Sequence, residues 1–347
     1  PLLNKVFNYY KHHKIDLSNF FIYSCQHLLA PQYEMYKIFI EFGFKPGNIV
    51  ALGKVYSSNI KVIKKFKDLG IKVIQPEFSG IPFDKEHTKN CKLVTKNISN
   101  KNKNIILDDG GYLINESKTK NIYFAVEQTS SGSNKLNKIK LNFPVFNVAR
   151  SKTKLTQESP LIGRLIFERI KIYIQDKKIN SPKILVVGLG PIGNAVYQIF
   201  NEEKFNITGF DIEIDKKDIV SYLKDEKPNI VIGATGTKLL NESDLKNLEN
   251  NHMYHFISVS SSDIEFPVYQ FRENEGIHSD VNYKNFVFVN NGFPITFKGN
   301  EYESTPIEIE KTIALLMGSV LYGIHKKKGV YRGIINIPRE LENLINE

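Results

Sequence analysis

The ten residues from Ile184 to Gly193, Ile-Leu-Val-Val-Gly-Leu-Gly-Pro-Ile-Gly, constrain the fold of this chain more than any other stretch. A short, unbroken aliphatic and β-branched run is the pattern of a strand buried on both faces of a parallel sheet. Here it ends in glycines spaced G-x-G-x-x-G at the mouth of a helical pattern. Gly188 permits a tight turn, Gly190 keeps a Cβ out of a ligand's path, and Gly193 lets the helix pack close on its strand. The helix N-terminus, with its unpaired N–H groups, suits the phosphates of a dinucleotide. Eighteen residues after Gly193, Asp211 closes the next run, Ile207-Thr208-Gly209-Phe210. A carboxylate there accepts from both ribose hydroxyls and repels a 2′-phosphate, which predicts NAD rather than NADP. Pro191 and Ile192 lie within the turn, and Ala234-Thr235-Gly236 follows a third run, Ile230-Val231-Ile232, where small residues border the nicotinamide side. The plain alternative is an ordinary glycine turn, but strand, helix and acid in this order favour the cofactor.

A length of 347 residues with 41% hydrophobic content supports two α/β domains with their own cores. No stretch is long and apolar enough to span a bilayer, and Pro1-Leu2-Leu3-Asn4 lacks a signal-peptide profile, so no membrane partner and a cytoplasmic location are expected. The two cysteines, Cys25 and Cys91, are too few for a disulfide framework and predict no metal cluster; either thiol reads as structural. The net charge of +10 comes from scattered lysines, as in Lys92 to Lys103 and Lys326 to Lys328, without interleaved aromatic residues. That is the pattern of a solvated surface rather than a nucleic-acid partner.

The first half alternates apolar runs with helical patterns, the signature of a parallel sheet wrapped by helices. Strands are predicted at Phe20 to Ser24, Asn48 to Leu52, Ile71 to Gln75, Asn104 to Leu107 and Ile122 to Val126, with later ones at His255 to Val259 and Phe286 to Val289. Helices are predicted at Gln32 to Phe42 and Asn59 to Leu69, each capped by a glycine, Gly43 and Gly70. Asn97 to Asn104 reads as a surface loop. Pro160 to Lys177 reads as a long helix leading into the nucleotide strand, and Thr305 to Tyr322 as another that returns to the first domain. Ile337 to Ile345 reads as a short closing helix started near Pro338. The predicted architecture is two doubly wound parallel-sheet domains: residues 1–155 with 305–347 as a substrate (catalytic) domain, and 156–304 as an inserted Rossmann domain.

Four blocks in order carry a resemblance. They are Ile106-Leu107-Asp108-Asp109-Gly110-Gly111, Val126-Glu127-Gln128-Thr129-Ser130-Ser131-Gly132, Asn147-Val148-Ala149-Arg150-Ser151-Lys152-Thr153-Lys154, and the glycine fingerprint at Gly188. With the late segment Tyr331 to Leu341, they make most of this chain similar to the S-adenosylhomocysteine hydrolase family. The resemblance implies a tightly held NAD, a nucleoside or thioether substrate, closure about two hinges, and a homo-oligomer (dimer or tetramer). It also implies a reaction: the nucleoside 3′-hydroxyl is oxidised, the acidified 4′ hydrogen is removed, the 5′ thioether leaves, water adds, and the ketone is reduced back.

Lys154 matches the family lysine that helps deprotonate the 3′-hydroxyl, and Glu158 stands where the family has a nearby aspartate. Without the resemblance, Lys154 reads as a surface lysine and Glu158 as a helix-dipole partner. Asp109 matches an aspartate of the reaction pocket, although Asp108 and Asp109 also suit a plain turn before glycines. His27 matches a histidine that handles protons near the leaving group, and otherwise reads as structural. Thr129, Ser130 and Ser131 match a run that contacts the NAD ribose and nicotinamide, and otherwise form a polar loop.

The departures concentrate among the substrate-binding positions. Leu29 and Pro31 replace a threonine and a glutamate that hold adenine, Gln128 replaces a glutamate near the ribose hydroxyls, and Ala149 and Ser159 replace asparagines. Ser260-Ser261-Ser262-Asp263 replaces a Gly-His-Phe-Asp block near the nicotinamide, and Glu301 to Pro306 occupies the place of a Gly-His-Pro gate. Each lost adenine partner would leave a polar group unpaired at roughly 1–3 kcal/mol. Three readings follow: the hydrolase itself, a relative with the same redox chemistry on another nucleoside, or a different class, either a catalytically silent NAD-binding regulator or a simple NAD-dependent dehydrogenase.

Overall fold

The computed structural model describes residues 2–12, 15–215, 217–249, 251–273, 276–298, 306–325 and 332–346. Residues 301–305, most of the expected gate segment, and Lys326 to Lys328 lie outside the described residues. The chain divides into two compact units. Unit 1 comprises Pro1–Glu77, Lys85–Glu158 and Ser304–Glu347; unit 2 comprises Phe78–Asp84 and Ser159–Glu303.

Six strands come first, β1 (Phe20–Cys25), β2 (Ile49–Leu52), β3 (Lys72–Ile74), β4 (Lys103–Asp108), β5 (Ile122–Glu127) and β6 (Pro144–Asn147). Unit 2 then contributes β7 (Lys183–Val187), β8 (Asn206–Phe210), β9 (Ile230–Gly233), β10 (Tyr254–Ser258), β11 (Val281–Tyr283) and β12 (Phe286–Phe288), and β13 (Gly333–Asn336) follows in unit 1. The unit 1 sheet runs β13-β6-β5-β4-β1-β2-β3, with every pairing parallel. Its order reverses between β1 and β4, the switch point outside which open α/β sheets place their ligands. Two apolar layers cover it. Ile22, Ile105, Leu107 and Val126 pack with the helices Leu2–Tyr10, Ala30–Phe42 and Pro306–His325, while Tyr23, Leu52, Ile106 and Ala125 pack with the helix Phe83–Thr95. Each fully buried side chain of this kind stabilises the unit by roughly 1.5–3 kcal/mol before conformational entropy is counted.

The unit 2 sheet runs β11-β12-β10-β9-β7-β8, with only β11 antiparallel to its neighbour. Its switch point falls between β7 and β9, beside the glycine turn. The helices Ser159–Asp176 and Pro191–Glu202 cover one face, where the rings of Phe167 and Phe200 meet edge to face at 4.8 Å. The chain therefore has the expected two-sheet α/β architecture. Strand β4 begins at Asn104 as expected and takes in Lys103 as well, from the expected surface loop, because Lys103 N–H donates to the Asn19 carbonyl and the strand continues the hydrogen-bond ladder of β1. Among the described residues no helix is long and apolar enough to cross a membrane.

Candidate functional site

In unit 1 the charged residues gather at the carboxyl ends of the central strands. His27 follows β1, Lys54 follows β2, and Asp109 follows β4. Asp109 accepts from Lys54 Nζ through Oδ1 and lies 3.2 Å from His27 Nε2 through Oδ2. The other imidazole nitrogen of His27 meets the Ser57 hydroxyl. An ionised Asp109 only accepts, which assigns the proton to Nε2 and leaves Nδ1 to accept from Ser57. Lys54 and Asp109 are each 1% exposed and His27 14%, so this is a buried charge network.

Electrostatics fix the protonation states. Burial pushes the Asp109 carboxyl up, but Lys54 and then His27 pull it down further, so it stays well below the usual carboxylate range. Burial pulls the Lys54 ammonium down, and Asp109, with Tyr56 and Cys25, more than restores it. His27 is lowered by burial, partly offset by Asp109, with Lys54 and Lys154 adding to the lowering. The network is therefore a Lys54–Asp109 ion pair holding a neutral imidazole.

Lys154 and Glu158 occupy the π-helical turn Lys154–Glu158 ahead of the helix Ser159–Asp176. Lys154 Nζ lies 3.3 Å from Glu158 Oε1, and Glu158 Oε2 accepts from the Thr312 hydroxyl. The Lys154 charge reaches His27 electrostatically, so the structure brings Lys154, Glu158, Asp109 and His27 into one charged neighbourhood.

Row-wise neighbours across β4, β5 and β6 are Asp108, Glu127 and Asn147. Glu127 Oε1 accepts from Gly110 N–H (3.1 Å), Thr129 N–H (2.7 Å) and the Thr129 hydroxyl (2.7 Å). Its Oε2 makes no hydrogen bond among the described residues. Burial, followed by the Asp108 charge across the strand pair, pushes Glu127 up to about 8, so it carries a proton near neutrality. Thr129 caps the helix Ser130–Leu136 by accepting from Gly132 N–H at 3.0 Å. Ser130 is exposed and Ser131 half-buried on its first turn. Gln128 is buried, with its Oε1 unpartnered among the described residues. Leu29 stands half-buried before the helix Ala30–Phe42. Ala149 is fully buried in a short helical turn, a core methyl where a polar reader of a base would need an exposed edge.

In unit 2 the glycine turn has the conformation that its spacing requires. Gly188 lies at φ 91°, in the left-handed region, and a Cβ on Gly193 would collide with the Gly188 carbonyl oxygen. Gly190, which caps the helix Pro191–Glu202, has nothing within 4 Å of where its Cβ would point. The turn is thus closed toward its own helix and open outward. That shape fits a diphosphate laid against the first helical turn, where Gly190 and Ile192 carry N–H groups and Pro191 has none to leave unpaired. Asp211 Oδ2 accepts from Leu189 N–H at 2.8 Å and Oδ1 from Glu213 N–H at 3.1 Å, which anchors the carboxylate at the end of β8. After β9, Ala234 packs beside Gly193, and Thr235 and Gly236 donate their N–H groups to the buried Glu265 at 2.7 and 3.2 Å.

Lys54, Ser57, Glu127 and Glu265 take parts that sequence reasoning did not assign. Lys54 offers one usable signal: a charged residue soon after the β2 run, at the carboxyl end of a parallel strand. Asp263 takes a structural role, pairing with Arg272 at 2.6 Å and accepting from Phe83 N–H.

Comparison with known proteins finds relatives without assigned activities. The uncharacterized proteins MT0113 and Rv0104 of Mycobacterium tuberculosis (strains CDC 1551 / Oshkosh and ATCC 25618 / H37Rv) are each 27% identical over 338 residues, covering 88% of this chain. The chain spans 64% of the length of these relatives. No family model matches. Among solved structures, dipicolinate synthase from Bacillus subtilis superposes with a TM-score of 0.43 at 10% identity, covering 91% of this chain and all of that one. The dipicolinate synthase of Bacillus halodurans gives 0.42 at 14% identity, covering 87% of this chain and 99% of that one.

Proposed function

We propose that this chain is an NAD-dependent enzyme related to the S-adenosylhomocysteine hydrolases, which acts on a sugar hydroxyl of a nucleoside or nucleoside thioether. The observation that carries the reading is the gathering of His27, Asp109 and the Lys154–Glu158 pair from three separate segments into one largely buried charged neighbourhood in unit 1. A structural ion pair needs two groups; this arrangement couples a lysine–carboxylate pair to a neutral imidazole and a second, fully buried lysine. The outward-open turn at Gly190 and the anchored carboxylate of Asp211 support a dinucleotide in unit 2.

When bound, NAD supplies reversible hydride acceptance from carbon. The chain's own residues do the proton work. The Lys154 ammonium first gives a proton to solvent and the amine then takes that of the sugar hydroxyl, while Glu158, held by Thr312, fixes its direction. His27 accepts and returns a proton at Nδ1, exchanging its Ser57 contact for the substrate, while Asp109 keeps the proton on Nε2. Lys54 keeps Asp109 ionised throughout. Glu127, buried behind the strand ends, holds Gly110 and Thr129 in place through Oε1.

A second reading, the same chemistry on a nucleoside other than an adenosine thioether, is favoured by the apolar side chains of Leu29 and the core-buried Ala149 where adenine partners would be needed. One assay separates the two. Protein purified and then stripped of nucleotide by acid yields NAD, and incubation of the intact protein with S-adenosylhomocysteine releases homocysteine, read with a thiol reagent. NAD without thiol selects the second reading, and no NAD removes both.

A further inference from the structure

We propose that Cys25, His87 and Cys91 form a binding site for a thiophilic divalent metal ion of the zinc class. Cys25 is the last residue of β1, while His87 and Cys91 stand four apart on the helix Phe83–Thr95, so both project from one helix face. Their ligand atoms all lie within 4.8 Å of one another, and Cys25 Sγ is 2.9 Å from His87 Nε2. All three side chains are buried. With bond lengths of about 2.3 Å to sulfur and about 2.0–2.1 Å to nitrogen, a tetrahedral ion would hold its ligand atoms about 3.6–3.8 Å apart. The 2.9 Å contact and the 4.8 Å outer limit of the trio bracket that spacing.

The donor set selects the ion. Two sulfurs and an imidazole favour soft or borderline metals over magnesium and calcium, which take oxygen. Two thiolates neutralise a dication, so the complex is uncharged and suited to a buried position, whereas thiolates without metal would carry uncompensated charge there. His87 turns its Nε2 toward Cys25 Sγ, so one ring nitrogen already faces the sulfur. Because the ligating form is the thiolate, metal binding would expel the thiol protons. Three protein ligands leave one position for an exogenous atom, a coordination number that zinc accepts. The site borders the Lys54–Asp109–His27 network, and its test reads metal content rather than activity. Counting cysteines along the sequence gave no sign of it, because the third ligand is a histidine and the first lies on another element.

The test uses the full chain produced with zinc in the medium and, separately, unfolded and refolded with equimolar cobalt(II) under reducing conditions. The expected results are about one metal ion per chain by elemental analysis and sulfur-to-cobalt charge-transfer absorption. Cys91→Ser and His87→Ala each lower metal content at least tenfold while far-ultraviolet circular dichroism is retained. Absence of metal or of charge-transfer bands from the unmutated chain overturns the proposal. So does undiminished metal in either variant, or recovery of Cys25 and Cys91 as a disulfide. Because the cobalt spectrum is read on the unmutated chain, the proposal stays testable even where a variant fails to fold.

Discussion

Lys54 and Asp109 show how much a residue's worth depends on its partner. Both charges have left water, and their mutual attraction offsets that loss only while both are present. Lys54→Met leaves Asp109 buried against a neutral imidazole, and urea unfolding of this variant is expected to show a loss of about 3–5 kcal/mol. Lys54→Met combined with Asp109→Leu should recover most of that loss, which separates the cost of an orphaned charge from the value of the contact. Glu127 gives a residue-scale pH dependence. Its folded value of about 8 stands above its ordinary 4.5, so in that window the folded chain holds a proton that the unfolded chain releases. Its contribution is full below about 4.5, declines as pH rises through the window, and is gone above about 8. Glu127→Gln should flatten the fall in urea midpoint across that window; an unchanged slope would show that Glu127 does not carry the proton.

At the scale of elements, the glycine turn makes the sharpest demand. Gly193→Ala drives a methyl into the Gly188 carbonyl, so the helix Pro191–Glu202 must move off its strand. The expected outcome is a stability loss of about 1–3 kcal/mol together with loss of NAD binding by calorimetry. Asp211→Ala, which removes the carboxylate anchored by Leu189, should weaken NAD by roughly 10–100-fold and narrow its preference over NADP. These elements are legible in sequence because the constraint is local: β7, the turn and the helix follow one another in the chain, and Gly43 and Gly70 adopt the left-handed conformation at the helix ends that they mark. Short edge and late strands are harder to read. The four-residue β6 and β13 are too short to show a period of their own, and they pair, Val145 opposite Ile334, although the main run of unit 2 separates them in the chain. The sulfur and imidazole trio is hidden for the same reason, since Cys25 and His87 lie 62 residues apart and meet only after β1 packs on the helix Phe83–Thr95. Lys154, by contrast, is one lysine among many, and only its place in a family-like block sets it apart.

At the scale of the whole molecule, each unit supplies one part of the proposed chemistry: unit 2 an open phosphate turn, unit 1 a buried set of proton-handling groups. NAD binding to the folded state alone should raise the unfolding free energy by about 2.7 kcal/mol at a hundredfold excess over its dissociation constant. The most direct measurement is the absorbance of reduced nicotinamide after the NAD-loaded chain is mixed with adenosine and a panel of other nucleosides. If Lys154 works on a sugar hydroxyl, the signal rises with at least one nucleoside, is limited to the bound NAD, and is lost in Lys154→Ala while NAD binding is retained. An equal rise in Lys154→Ala, or none in the unmutated chain with any nucleoside, would contradict that role.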